Sequence, residues 1–204
     1  MSGHNARQLL ENFYKPGDER KDILSLISRC PDHLFEQEFD SFVESYALSH
    51  LQHDRKMAGY QLANQWSGGK ASPLVAAIQA GKENAARKLV EAGARVNEST
   101  GPYDSKLFAL GAAVNLGQHE TVKMLLDAGA DPNASNINMP HSFITAYDDQ
   151  QMLHLLAKYG ATIDDLKARH PMASTVTIRC IQESLHNPAG HGIDEQKPRS
   201  RMHP

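Results

Sequence analysis

The sequence predicts an all-α fold, a helical solenoid of about three two-helix repeats with helical N-terminal and C-terminal caps. The first observation behind it is a block that recurs. Residues 72–97 read SPLVAAIQAGKENAARKLVEAGARVN and residues 108–133 read FALGAAVNLGQHETVKMLLDAGADPN; at an offset of 36, Leu74/Leu110, Ala76/Ala112, Ala77/Ala113, Gly81/Gly117, Leu89/Leu125, Ala92/Ala128, Gly93/Gly129, Ala94/Ala130 and Asn97/Asn133 are identical. The second is the pattern inside each block. Ala86, Leu89 and Val90 in the first copy, and Val122, Leu125 and Leu126 in the second, recur at the i, i+3, i+4 spacing of an amphipathic helix. A single helix pair would leave that stripe wet, so stacking completes the core.

The elements follow in chain order. Upstream, residues 4–14, 19–29, 34–50 and 52–66 are expected to be helices, broken at Pro16-Gly17 and Cys30-Pro31-Asp32. An offset of 32 would put Phe42, Tyr46 and Met57 where Leu74, Ile78 and Leu89 lie, so residues 1–66 read as a helical N-terminal cap or a degenerate repeat region. The array occupies residues 67–186. Ser72 is placed to cap a helix that Pro73 opens, since proline's missing N–H is not needed in the first turn. That helix ends near Gly81, and its partner stops at Gly93, or at Gly129 in the next copy, where a left-handed residue costs glycine little. A further offset of 31 carries Leu125, Gly129 and Ala130 onto Leu156, Gly160 and Ala161, which makes residues 139–164 a worn third copy, and takes Pro140 to Pro171, where a fourth would begin. Residues 171–185 then form a closing helix with Met172, Val176, Cys180 and Ile181 toward the stack, and residues 187–204, poor in apolar side chains, are expected to be a disordered tail.

Ser72-Pro73-Leu74-Val75-Ala76-Ala77 and Gly129-Ala130-Asp131-Pro132-Asn133 carry a resemblance to the ankyrin-repeat family, whose unit of about 33 residues starts Thr-Pro-Leu-His-x-Ala and finishes Gly-Ala-Asp-x-Asn. Val75 and Gly111 stand where the family prefers histidine, and the copies run 36 and 31 residues. The length changes fall between Asn97 and Phe108 and between Asn133 and Met139, the segments that project as hairpin fingers in the family. The resemblance implies a protein partner held on a concave face made by fingertips and first helices. It points to Arg95, Glu98, Tyr103, Asp104 and Lys106 on the first finger, and to Asp131, Asn136, Ile137 and Asn138 on the second. On the first helices it leaves Gln79, Asn115, Leu116 and Tyr147 outward. Tyr103 and Arg95 stand out because Tyr and Arg are enriched among interface hot spots.

Composition narrows the alternatives. Hydrophobic residues make up 40% and charged residues 22%, enough to bury a core. The formal charge of -3 supplies no positive field for a phosphate backbone, which argues against nucleic acid as a partner. The longest clear apolar run, Leu107 to Val114, is far short of the roughly 18 residues a membrane span needs. The start of the chain lacks the apolar stretch of a secretory signal, and Cys30 and Cys180 form no Cys-x-x-Cys pair, so a cytoplasmic monomer with free thiols and no cofactor is expected.

An enzyme with a small site in residues 1–66 is the alternative to a non-catalytic adaptor, inhibitor or effector. His50, His53 and Asp54 could offer two or three ligands to a zinc-like ion, although they lack the His-Glu-x-x-His spacing. Cys30 lies near His33 in sequence, which alone does not make a nucleophile–base pair. Ser67-Gly68-Gly69-Lys70 lacks phosphate-loop spacing and reads as a turn; Lys197, Arg199 and Arg201 form a small basic cluster in the tail. Self-association through Ile137 and Met139 is a third class of function.

Overall fold

The computed structural model describes residues 23–50, 54–65, 71–99, 107–134 and 141–186. The expected helix at 4–14, the first four residues of the one at 19–29, most of both fingers and the tail lie outside them. Eleven α-helices run through the described residues: α1 Ile23–Arg29, α2 Phe35–His50, α3 Arg55–Ala63, α4 Pro73–Gln79, α5 Glu83–Glu91, α6 Ala109–Asn115, α7 His119–Asp127, α8 Ser142–Thr145, α9 Gln150–Lys158, α10 Ile163–Arg169 and α11 Thr175–His186. A 3-10 turn, Asp32–Leu34, leads into α2.

Local chemistry sets the boundaries. Ser72 accepts the Val75 N–H at the start of α4 with Pro73 in the first turn, and Asp149 and Thr162 do the same for Met152 and Asp165 at the starts of α9 and α10. At the other end, Gly93 and Gly129 take φ of 89° and 86°, conformations an L side chain rarely adopts, so the chain can turn sharply out of α5 and α7.

The helices stack in two rows. One runs α1, α4, α6, α8; the other begins α2, α5, α7, with α11 laid on α9 at the far end. Between the rows lies one continuous core, including Ile23, Ile27, Phe35, Leu74, Ile78, Leu89, Leu110, Val122, Leu125, Phe143 and Leu156, each no more than 2% exposed. The small residues Ala77 and Ala113 are fully buried along the first row, where they let neighbouring helices approach.

Two ladders of side-chain hydrogen bonds join successive units. In one, an asparagine bridges forward to the next turn. Asn64 donates to Gly93 O and accepts from Arg95 N–H; Asn97 donates to Gly129 O and accepts from Asp131 N–H; Asn133 donates to Gly160 O and accepts from Thr162 N–H. In the other, the residue that opens each second helix reaches back. The Lys82 ammonium donates to the carbonyls of Ile27, Ser28 and Cys30 at the end of α1; Gln118 donates to Ile78 O at 3.0 Å; Asp149 accepts from the His119 ring at 2.8 Å. Each such amide stitches two turns, so Asn97→Ala is expected to cost about 1 to 2 kcal/mol of stability, read from urea unfolding. An unchanged midpoint and slope would show the ladder to be incidental.

Three expectations are corrected. The offset of 32 upstream fails: α1 stands in the first-helix row, Phe42 lies on α2 in the second row, and Met57 is 46% exposed where Leu89 is fully buried. The cause is α3, an extra helix packed on α2 between the second helix and Asn64. The last pair does not begin at Pro171, because α10 starts at Ile163; Gly160 is followed almost at once by the Thr162 cap, with no finger between. And α11 docks through Ile178, Ile181 and Leu185, while Met172, Val176 and Cys180 face outward, Met172 at 94% and Val176 at 69% exposed. A helix of 12 residues can carry two apolar stripes, and the one that found a neighbour is buried.

Candidate protein-recognition surface

Stacking consumes the flanks of each first helix and leaves its C-terminal end uncovered. Ala80 closes α4 and Leu116 closes α6, and Tyr147 lies one residue beyond the cap of α8; these three are related by the repeat offsets of 36 and 31. Leu116 is 48% and Tyr147 54% exposed, large apolar surfaces on neighbouring units of one row. Gln79 and Asn115 beside them are exposed as well.

The finger bases are built differently. Arg95 gives its backbone N–H to Asn64, donates through Nε to the Tyr60 hydroxyl at 3.3 Å, and places Nη1 3.7 Å from Glu98. Arg95 and Glu98 are exposed, so this cluster is available to a ligand, with its guanidinium already oriented by an aromatic side chain. Asp131 instead turns inward on its own loop and accepts the Asn133 N–H at 2.9 Å. Tyr103, Asp104, Lys106, Asn136, Ile137 and Asn138 lie outside the described residues.

Tyr60 escapes sequence reasoning because it sits on the inserted helix, 35 positions from Arg95, and no repeat offset connects the two. The same insertion opens a groove of about 920 Å³ between α2, α3 and the end of α5. Phe39, Val43, Met57, Gly59, Tyr60 and Ala92 give it an apolar lining. Of the charges around it, Arg55 pairs with Glu44, and Lys88 with Asp40 at 3.0 Å and Glu36 at 3.7 Å.

The candidate chemical groups take structural positions. The Cys30 thiol is buried and donates to Pro31 O; burial pushes its pKa up, with Glu38 adding to the effect, which is the reverse of what an activated nucleophile needs. The Asp54 carboxylate caps α3 by accepting the Met57 N–H, and the side chains of His50 and His53 lie outside the described residues. Among the described residues no group of three or more His, Cys, Asp or Glu is arranged to hold a metal ion. No helix among them is long and apolar enough to cross a membrane.

Comparison with known proteins agrees with this architecture. Residues 45–136 match the family model described as ankyrin repeats (3 copies), which begins within α2 and runs through both strong copies. No curated protein matches the chain. Ankyrin repeats are in general protein–protein interaction modules. The matched segment, the paired rows of helices and the asparagine ladder together support an ankyrin-repeat array that includes residues 45–136.

Proposed function

We propose that the chain is a non-catalytic recognition module, an adaptor, inhibitor or effector, that holds one protein partner on the face lined by its first helices. The observation that carries this reading is the exposed row of Leu116 and Tyr147. Neither side chain supports the stack, and an aromatic flanked by an aliphatic is the kind of anchor that dominates interface energies. Asn115 and Gln79 give this row a polar margin, and the fingers at 95–106 and 131–138 extend the surface, with Arg95 set by Tyr60 at its edge. It works as a monomer in the cytoplasm, a compartment that keeps the buried Cys30 and the exposed Cys180 as thiols.

The test is affinity capture with the intact chain and with a Leu116→Asp, Tyr147→Asp variant, followed by titration of the captured protein. Loss of one anchor is expected to weaken binding about 30-fold, and of both by more. Cooperative thermal unfolding of the variant should match the parent. A partner held equally well by both chains would remove this face from consideration.

A further inference from the structure

The joint between α7, α8 and α10 is built around two imidazoles, beside the His119–Asp149 contact that joins α7 to α9. His141 is fully buried at the start of α8. Its Nδ1 accepts the Phe143 N–H at 3.2 Å, and its Nε2 lies 2.9 Å from Asn133 Oδ1. An Nδ1 that accepts leaves the single ring proton on Nε2, which donates to Asn133; the neutral Nε2–H tautomer is therefore the one that fits. The backbone N–H of His141 donates in turn to Nε2 of His170, the residue that ends α10, at 3.1 Å. Asn133 Oδ1 also accepts the Thr162 N–H, so one amide oxygen and two imidazoles tie three turns together.

We infer that His141, seated against Asn133 and His170, is an acid-operated latch, whose protonation releases α8–α11 from α6 and α7 while α1–α7 stay folded. A proton arriving at His141 must go to Nδ1, which then confronts the Phe143 N–H as a second donor and cancels the helix cap. The charged groups around the His141 ring do not compensate. Asp131 on the α7–α8 loop and Asp165 on α10 favour the cation, but burial opposes it, and so do His170 and Arg169 on α10. Together these hold His141 well below its ordinary value, at about 4. The joints within α4–α7 rest on the amides of Asn64, Asn97 and Gln118, which do not titrate. Opening the same segment also hydrates His154 Nε2 on α9, a buried nitrogen with no hydrogen-bond partner among the described residues.

The sign follows from the depressed pKa. The released form takes up a proton near 6.5, the latched form only near 4, so the latch is at full strength above pH 6.5 and weakens as pH falls through that window. Amide hydrogen exchange of the full chain between pH 7.5 and 5.0, expressed as protection factors, reads this directly. Protection at Phe143, Leu153 and Leu156 should drop roughly 30-fold while Leu89 and Leu125 hold. In His141→Asn, whose side-chain oxygen can still accept the Phe143 N–H, the drop should vanish. Equal behaviour of both halves in the parent chain would overturn the latch. Should the variant lose α8–α11 at neutral pH, ring ¹⁵N shifts of the parent decide: His141 protonating near 6.5 with protection retained overturns it, and a ring that stays Nε2–H to below pH 5 supports it.

Discussion

Leu125→Ala is expected to lower the unfolding free energy by about 2 to 5 kcal/mol, whereas Leu116→Ala should stay within about 0.5 kcal/mol. The residues share one side chain and lie nine positions apart, but Leu125 is fully buried on α7 and Leu116 is 48% exposed at the end of α6. Truncating the first loses both transfer energy and contacts, because a stacked helix held on each side cannot collapse into the gap. In an array of nearest-neighbour contacts the loss also weakens the coupling between the units on either side. For a chain of this size the buried substitution translates into a fall in Tm of roughly 5 to 15 °C. Equal shifts for the two variants would mean that the inner face has been misassigned.

Breaking the Lys82–Asp32 exchange should free the first unit. Lys82 opens α5 and donates to three carbonyls at the end of α1, while Asp32, just beyond α1, accepts the Asn84 and Ala85 N–H groups in the first turn of α5. Each helix end is thus neutralised by a charge from the other. Lys82→Met strands the carbonyls and Asp32→Ala strands the amides, at about 2 kcal/mol each. Protection of the Ile27 amide is expected to fall in both variants, and the double variant should lose about the sum, since each cap acts on a different helix. Protection at Leu125 should not change. Were α1 to stay as protected as in the parent, its docking would rest on Ile23 and Ile27 burial alone.

The array was legible in the sequence because its signals are local. Leu89 and Leu125 announce the buried stripe by helical period, Gly93 and Gly129 mark where the second helices stop, and the repeat offset alone places Leu116 and Tyr147 at matching positions. Exposure of that row follows from the same arithmetic. What the sequence hid depends on which neighbour arrives. Ile178, Ile181 and Leu185 compete on one helix with Val176 and Cys180, and only α9 selects between the two faces. Asn64 belongs to the same ladder as Asn97, yet the inserted α3 removes the flanking Gly-Ala that would have flagged it. The contact of Tyr60 with Arg95 joins a helix to a loop in a different unit, which no period reports.

The back-reaching residues Lys82, Gln118 and Asp149 differ although their positions correspond. An ammonium suits a helix end rich in free carbonyls, an amide suits a single carbonyl, and a carboxylate suits a ring N–H. Similar units in tandem run a standing risk of pairing out of order while the chain is still incomplete. Here each joint carries a different chemical address, so a unit that docks beside the wrong neighbour leaves a charge or an amide unanswered and can come off again. The order of the stack is thereby written into three side chains as well as into the chain's connectivity.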